Sequence, residues 1–467
     1  MSVLTEDGDT IAAISTAAGE GGIAIIRISG DLSLSIGSSI FRTATDKKVK
    51  SFTPRLVNYG YIVRPTGEKI DEVLLTYMQG PKSYTCEDII EISSHGGMIA
   101  ARAILKLVTT EFDCRLARGG EFSKRAFING RIDLVQAEAI IDIIKSRSDR
   151  GWSTAFSHLT GSLSKAIAIA QGELIDIIAR LEVSLDFPDE VIDIIDDKSL
   201  LCKLISLRDS LDALKATEVE GKLYRDGCSA ILIGRPNSGK SSLLNRLLGE
   251  DRAIVTDVAG TTRDIIEESF QIAGIEIKII DSAGISSTTD SIEREGINRS
   301  LKFASIANLL LVVFDSSERL SSEDLLVIEE VSRLASKKIL VMNKSDLPQL
   351  LSRSDLRDRG LSDPIVKVSA KTSDRLEELK ELIRATIESS STVADNLPVI
   401  TRDRHFNLIN ETLNSIRLAI ETVEKGLSRE FVVADLESAR YSIEELTGKN
   451  ITEEALDLIF SEYCIGK

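Results

Sequence analysis

The chain has 467 residues, which is enough for about three domains of ordinary size, and 43% of them are hydrophobic. Its 57 basic and 73 acidic residues give a net charge of −16, which opposes broad attraction to nucleic acid or to an anionic membrane. An acidic start and the lack of any apolar run of membrane-spanning length predict a cytoplasmic protein without a membrane anchor.

The first part of the chain alternates short β-like runs with turns. The runs cover residues 23–28, 73–77 and 89–92, and residues 98–109 have a helical pattern. Gly, Pro and Ser separate these segments. We therefore predict a separate α+β domain over residues 1–118.

Apolar residues recur at steps of three or four on both sides of the central segment, which is the spacing of an amphipathic helix. One stripe precedes this segment and one follows it, and the simplest packing partner for each stripe is the other. The central segment, residues 216–380, is then an insertion within a helical domain built from residues 119–215 and 381–467. The two stripes are Ile167, Ala170, Leu174, Ile178, Leu181 and Leu185, and Phe406, Ile409, Leu413, Ile416, Ile420, Val423 and Leu427.

The central segment opens with a phosphate-binding loop. An apolar run at residues 230–233 is followed by Gly-Arg-Pro-Asn-Ser-Gly-Lys-Ser, from Gly234 to Ser241. Gly234 and Gly239 let the backbone wrap closely, so that its N–H groups and the next helix N-terminus face the phosphates. Lys240 supplies positive charge to the β- and γ-phosphates, and Ser241 offers a hydroxyl to Mg²⁺. The nucleotide contacts predicted in this loop are Asn237, Ser238, Gly239, Lys240, Ser241 and Ser242.

Two further segments have the character of switch loops. Gly260-Thr-Thr-Arg-Asp264 lies where a switch loop must present a threonine, Thr262, to Mg²⁺. Residues 278–280 then deliver Asp281-Ser-Ala-Gly284, a D-x-x-G element whose Asp reaches the metal shell and whose Gly N–H meets the γ-phosphate. We predict nucleotide contacts at Thr262, Asp281, Ser282, Ala283 and Gly284, and catalytic roles for Lys240 and Asp281.

The base-reading motif follows a strand predicted at residues 338–342. It is Asn343-Lys-Ser-Asp346, and the carboxylate of Asp346 can accept both the N1–H and the exocyclic amine of guanine, a donor pair that adenine lacks. After another strand, at residues 364–368, Ser369-Ala-Lys371 resembles the S-A-K element of GTPases, whose backbone meets the guanine carbonyl. The base-reading set is thus Asn343, Lys344, Asp346, Ser369, Ala370 and Lys371. These motifs, in this order, predict a GTPase domain of the translation-factor type.

Several motifs outside this domain are more specific than the phosphate-binding loop. They include Ser-Tyr-Thr-Cys-Glu-Asp at residues 83–88, His-Gly-Gly at 95–97, Gly-Glu-Phe-Ser-Lys-Arg-Ala-Phe at 120–127, Asp-Phe-Pro-Asp-Glu at 186–190 and Cys-Ile-Gly-Lys at 464–467. With them the sequence resembles the MnmE (TrmE) family of bacterial tRNA modification GTPases over nearly its whole length. The resemblance implies a multidomain fold with an α+β N-terminal folate-binding domain, an all-α helical domain and an inserted α/β P-loop GTPase domain.

The resemblance also implies a chemistry and partners. Members of this family form a homodimer that joins an FAD-dependent tRNA modification partner (MnmG/GidA) in a heterotetramer. The complex adds a carboxymethylaminomethyl or aminomethyl group to C5 of the wobble uridine of certain tRNAs. A 5-formyl- or 5,10-methylene-tetrahydrofolate supplies the one-carbon unit.

The family's folate contacts match four residues of this chain, Arg27, Glu91, Arg131 and Lys467. A folate has a flat pterin with guanine-like donors and an anionic glutamate tail, so arginine, lysine and one buried carboxylate are suitable ligands. The alternative interpretation of Arg27 and Glu91 is a buried ion pair within the N-terminal domain.

Potassium is the other ligand that the resemblance implies. The positions that hold K⁺ beside the phosphates match Asn237, Thr256, Val258 and Thr261, and Thr256 and Thr261 also count among the GTP contacts. The cation could neutralise charge that develops between the phosphates, as an arginine finger would. Asn237 has an alternative interpretation as a turn residue.

Hydrolysis needs a group that orients water. Ile285 follows Gly284, so the glutamine that does this in Ras-like proteins is missing. The family places a glutamate downstream in the second switch, and Glu293 matches it by spacing. The alternative is that Glu293 is a solvated helix residue beside Arg294 and Glu295.

The five cysteines, at positions 86, 114, 202, 228 and 464, form no Cys-x-x-Cys pair, so we expect reduced thiols rather than disulfides or a zinc site. Cys464 could act as a thiolate on C6 of uracil or could fix the local loop.

Two other functions are compatible with part of the sequence. One is a regulatory GTPase switch in ribosome assembly, which would predict a basic RNA-binding appendage. The other is a folate-binding scaffold with a degenerate GTPase, which the intact Lys240, Ser241, Thr262 and Asp281 oppose.

Overall fold

The computed structural model describes residues 9–186, 196–250, 267–280, 307–388, 397–461, 463 and 466. The chain forms two compact units. Unit 1 comprises Met1–Ile141 and Arg440–Lys467, and unit 2 comprises Asp142–Ala439. The sequence segments with boundaries near residues 118, 215 and 380 divide the chain differently, and those boundaries stay a prediction.

The described elements follow in chain order. The first part holds β1 (Thr10–Ile14), β2 (Ile23–Ser29), α1 (Ser33–Ile40), β3 (Phe41–Thr43), β4 (Val57–Val63), β5 (Lys69–Met78), β6 (Ile89–His95), α2 (Met98–Glu111), β7 (Cys114–Leu116), α3 (Glu121–Ile128) and α4 (Leu134–Lys145). Next come α5 (Asp149–Leu159), α6 (Ser162–Asp186), α7 (Asp197–Lys215) and α8 (Glu218–Asp226). The central part holds β8 (Cys228–Ile233), α9 (Lys240–Glu250), β9 (Glu267–Ile272), β10 (Ile275–Ile280), β11 (Leu309–Asp315), α10 (Ser322–Ser332), β12 (Lys337–Asn343), α11 (Arg353–Arg357), β13 (Ile365–Lys367) and α12 (Leu376–Glu388). The chain continues with α13 (Asp403–Glu424), α14 (Arg429–Thr447) and α15 (Glu453–Ser461).

Unit 1 is built on a seven-stranded sheet with the strand order β3-β4-β5-β6-β2-β1-β7. Neighbouring strands are antiparallel except for β1 and β7, which are parallel. Because successive side chains of a strand point to opposite faces, one face carries the buried Ile26, Ile28, Ile90 and Ile92 and packs under α1 and α2. The strands and the helix predicted for this region are present, and the α+β class is confirmed.

Among the described residues, those that cover the opposite face of this sheet lie at one end. There Ile11 of β1 packs with Phe122 of α3 in a small separate core. At the other end the face keeps large apolar side chains exposed, and cross-strand pairing places them on the same face as Arg27 and Glu91. These side chains are Ile23, Val57, Tyr59 and Leu74.

The central part of unit 2 is a six-stranded sheet with the order β13-β12-β11-β8-β10-β9, parallel except for the edge strand β9. Strands β8, β11 and β12 are almost continuous apolar runs because helices cover both faces of a parallel sheet. The α/β class predicted for this segment is confirmed. Loops at the carboxyl ends of β8, β12 and β13 carry the predicted nucleotide motifs, so these motifs meet at one edge of the sheet.

The helical part of unit 2 differs from the prediction in its packing. The stripe on α13 packs mainly against α7, and α7 packs on α6, which carries the other stripe. The prediction that the two stripes are each other's main partners is therefore wrong. Helix α7 has its own stripe of buried leucines at helical spacing, and this stripe lies in the contact that was predicted for the other two. The leucines are Leu200, Leu204, Leu207, Leu211 and Leu214.

Two contacts hold the β9–β10 hairpin against α5. The backbone N–H of Arg150 donates to the carbonyl of Gly274 at 3.0 Å, and the side-chain amide of Gln271 donates to the carbonyl of Arg147 at 2.8 Å. Within the described ranges, the helices are too short or too polar to cross a membrane.

Candidate functional site

The phosphate-binding loop connects the end of β8 to the start of α9. Asn237 and Gly239 have φ values of 61° and 92°, in the left-handed region. A Cβ on Gly239 would lie 2.1 Å from the side-chain nitrogen of Asn343, and one on Gly234 would lie 2.3 Å from the carbonyl oxygen of Val313. Gly234 is therefore required by the close approach of the Val313 backbone, and Gly239 by the neighbouring Asn343 side chain together with its own positive φ.

The side chain of Lys240 folds back onto the backbone of this loop. Its ammonium donates to the carbonyls of Gly234 and Arg235, both at 2.8 Å, and burial lowers its pKa. A phosphate beside it would supply the missing negative charge. Ser241 has an exposed side chain in the first turn of α9, where helix N–H groups also face outward. This arrangement fits a polyphosphate.

Asn343 joins the two halves of the candidate site. It is 2% exposed at the end of β12, and its amide nitrogen donates to the carbonyl of Ser238 at 3.0 Å. Its amide oxygen accepts from the backbone N–H of Ala370 at 3.1 Å. Three predicted motifs, namely the phosphate-binding loop, the N-K-x-D loop and the segment after β13, are thus tied together by one buried side chain.

The carboxylate of Asp346 accepts a hydrogen bond from the side chain of Ser369, a contact that the sequence analysis did not predict. The buried hydroxyl of Ser369 donates to this carboxylate at 2.6 Å, and this hydrogen bond lowers the pKa of Asp346. The carboxylate is therefore charged and exposed, and it can accept the two N–H groups of guanine. Ala370 and Lys371 lie beside it, and their carbonyls accept from Arg246 of α9 at 3.4 Å and 3.2 Å.

Two charged residues of this site were missed by the sequence analysis. Asp315 ends β11 and lies 2.5 Å from the ammonium of Lys344, and Arg235 of the phosphate-binding loop lies 3.7 Å from the same carboxylate. An acidic residue that ends an apolar strand beside the N-K-x-D strand is the signal that could have identified Asp315.

Several predicted residues lie outside the described residues. In the two switch segments they are Thr256, Val258, Thr261, Thr262, Asp281, Ser282, Ala283, Gly284 and Glu293, and at the C-terminus they are Cys464 and Lys467. Their roles stay predictions.

Two of the predicted folate residues of unit 1, Arg27 and Arg131, contact Tyr84. Arg27 of β2 and Glu91 of β6 are direct cross-strand partners, with 2.9 Å between Nε and Oε1 and with side chains 15% and 26% exposed. The guanidinium of Arg27 lies 5.2 Å from the ring centre of Tyr84 and 5.5 Å from that of Phe122. Arg131 stacks on Tyr84 at 4.7 Å and donates to its carbonyl at 3.0 Å.

One described residue near the C-terminus contacts the same arginine. The carbonyl of Gly466 accepts a hydrogen bond from Arg27 at 3.3 Å. The ion pair that was the alternative interpretation is present, and the folate role stays a prediction. Sequence reasoning missed Tyr84 and Phe122, although both lie within the quoted motifs.

Two family models match the chain. The family model described as the GTP-binding protein TrmE N-terminus matches residues 10–131, and the MnmE helical domain model matches residues 134–464. The tRNA modification GTPase MnmE of Alkaliphilus oremlandii is 42% identical over 460 residues, which are 98% of this chain and 99% of that protein. The MnmE of Clostridioides difficile is 42% identical over 459 residues, with 98% and 99% covered.

Part of the chain is also similar to a solved structure. The G domain of the T. maritima FeoB iron transporter is 30% identical, with a TM-score of 0.26, over 34% of this chain and 98% of that chain. The family models and the full-length relatives together extend over nearly all of the sequence, and the chain therefore belongs to the MnmE family of tRNA modification GTPases.

Proposed function

We propose that this GTPase carries a tetrahydrofolate in unit 1 and uses its one-carbon unit to modify C5 of a tRNA wobble uridine, together with the FAD-dependent partner MnmG/GidA. The observation that carries the proposal is the pair of arginines at Tyr84, Arg27 and Arg131, with Glu91 bound to Arg27. A carboxylate suits the donors of a pterin, guanidinium groups suit the anionic tail, and an aromatic ring suits the flat ring system. The ribosome-assembly alternative is set aside because the relatives are named tRNA modification GTPases.

The homodimer is part of the same proposal. The open end of the unit 1 sheet exposes Ile23, Val57, Tyr59 and Leu74, and such a cluster of apolar side chains marks an interaction surface. This cluster shares its face with the Arg27–Glu91 pair. A second copy of the chain seated there would lie next to the folate.

The exposed N-terminal end of α9 would bind the cations of the GTPase cycle. We propose that Ser241 and Thr262 hold Mg²⁺ and that Asn237, Thr256, Val258 and Thr261 hold K⁺. The support from the described residues is the exposed, left-handed Asn237, which presents its side chain at the rim of the phosphate-binding loop. When bound, the cations would neutralise phosphate charge, and Glu293 would orient water.

The folate proposal is tested by calorimetric titration of the full chain with 5-formyl-tetrahydrofolate. Arg27→Ala and Glu91→Gln should each weaken binding by at least about tenfold, since each removes a charge-assisted hydrogen bond. Arg64→Ala is the matched control, because Arg64 makes only an exposed pair with Glu68 in the same unit. If Arg27→Ala binds folate normally and lowers only the melting temperature, the pair is structural.

The cation proposal is tested by GTP hydrolysis in KCl and in NaCl at equal ionic strength. Faster turnover in KCl that Asn237→Ala removes would support K⁺ at this position. Equal rates in the two salts would contradict it.

A further inference from the structure

Two loops of the nucleotide site place a cationic side chain near one buried carboxylate, that of Asp315. Asp315, the last residue of β11, places Oδ2 2.5 Å from the ammonium of Lys344 in the N-K-x-D loop. The same oxygen lies 3.7 Å from the guanidinium of Arg235 in the phosphate-binding loop. Arg235 has nearer partners in Glu318 at 2.6 Å and Asp324 at 3.4 Å. Asp315 is therefore first of all the partner of Lys344.

The carboxylate of Asp315 is held in place on its other side as well. Its Oδ1 accepts from the backbone N–H of Ser317 at 3.0 Å and from the Ser317 hydroxyl at 2.6 Å. The side chain is 2% exposed, and β-sheet pairing sets Asp315 directly beside Asn343. Burial acts to raise the pKa of Asp315, but Lys344 and Ser317 hold it below its ordinary value. The carboxylate of Asp315 is therefore charged and is held by hydrogen bonds next to the N-K-x-D loop.

Lys344 has a second carboxylate within electrostatic reach. Asp346 follows it by two residues, and Lys344 contributes to lowering the pKa of Asp346, after Ser369 and Lys371. If the ammonium of Lys344 moved onto Asp346, it would occupy the oxygens that guanine needs. Its pairing with Asp315 prevents this and also restrains the lysine stem, whose apolar methylenes can line the face of a flat purine.

We propose that Asp315 is a positioning residue for the guanine base: it holds Lys344 so that the Asp346 carboxylate stays open and the lysine stem stays beside the base. The residue acts through Lys344 and touches neither the base nor the phosphates itself. Loss of Asp315 should therefore weaken recognition of the base and leave recognition of the phosphates intact.

The test compares two ligands by calorimetry on the full chain, GDP and inorganic tripolyphosphate. Asp315→Asn should bind GDP about tenfold more weakly, the effect of losing a hydrogen bond between charged groups. Its affinity for tripolyphosphate should be unchanged. In steady-state hydrolysis KM for GTP should rise while kcat stays the same.

Lys344→Met should show the same selective loss of GDP binding, and Asp315→Asn combined with Lys344→Met should lose no more than Lys344→Met alone. Glu318→Gln is the control, because it removes an exposed partner of Arg235 and should leave both affinities unchanged.

Equal losses for GDP and tripolyphosphate, or additive effects of the two substitutions, would overturn the proposal. Should Asp315→Asn not fold, Asp315→Glu keeps the charge but displaces the ammonium, and it must still weaken GDP binding selectively. A full GDP affinity in Asp315→Glu and in Lys344→Met would also refute it.

Discussion

The side-chain amide of Asn343 donates to the carbonyl of Ser238 at 3.0 Å, so the base-reading loop and the phosphate-binding loop are held by one buried residue. Asn343→Ala leaves the Ser238 carbonyl and the Ala370 N–H without this partner, which should cost about 1–3 kcal/mol of stability. We expect a lower melting temperature and a smaller upward shift with saturating GDP, measured by calorimetry.

Asn308→Ala is the matched control for that variant. The Asn308 oxygen accepts from the backbone and the hydroxyl of Ser229 at the protein surface, away from the nucleotide site. Asn308→Ala should leave the GDP-induced shift in melting temperature unchanged. A normal shift in Asn343→Ala would show that the two loops do not depend on this side chain.

The Asp346 carboxylate predicts a switch of base preference. Asp346→Asn replaces one acceptor by a donor, which suits the C2 carbonyl of xanthine and not the amine of guanine. We expect weaker GDP binding and stronger XDP binding, each by about tenfold, in competition against a fluorescent nucleotide. Asp355→Asn, in the exposed cap of α11, should bind both as the unchanged chain does. Unaltered preference in Asp346→Asn would remove Asp346 from base recognition.

The pKa of Asp346 also determines how GDP affinity should change with pH. Because Ser369 lowers it, the carboxylate stays ionised from neutral to weakly acidic pH, and GDP affinity should not fall over that range. A depressed pKa means that the binding contribution is lost only as the pH falls through the lowered value.

The chain segments before and after the GTPase segment are joined by Arg402 and Asp142. Their largely buried side chains form two hydrogen bonds of 2.7 Å and 3.2 Å. Arg402→Ala leaves a buried charge and should destabilise unit 2 by about 3 kcal/mol. Urea unfolding followed by the fluorescence of Trp152, the single tryptophan, measures this effect in unit 2.

Arg417→Ala provides the comparison for Arg402→Ala. Arg417 also pairs with an aspartate across the insertion, Asp212, but both side chains are substantially exposed. Its loss should cost less than about 1 kcal/mol. Similar midpoints for the two variants would argue against a structural role for the buried pair.

The cysteines should differ in reactivity. Cys202 is exposed, whereas burial raises the pKa of Cys114 and of Cys228 to about 12. At about pH 8 roughly one in ten thousand of these two buried thiols is ionised, so iodoacetamide should modify Cys202 before Cys114 and Cys228. Peptide mass spectrometry of native and urea-treated protein measures this difference, and equal labelling in the native state would contradict it.

The sequence by itself determined the elements whose chemistry is local. The glycines of the phosphate-binding loop lie where a larger side chain would clash. The central parallel strands are nearly continuous apolar runs, and the N-K-x-D loop begins where β12 ends. The sequence alone predicts all three features. The family followed from short motifs spread along the chain.

Only the tertiary structure decided which distant side chains meet. Asp315 is an ordinary acidic residue until β11 is placed beside β12, and Tyr84 becomes a ring between two arginines only when its loop folds onto the sheet. The packing of α7 between α6 and α13 was decided in the same way. Several helices carry apolar stripes of the same spacing, and the shape complementarity of their side chains determines which of them pack together. Spacing along the chain specifies local geometry, whereas partner choice depends on burial and on charge compensation across the whole fold.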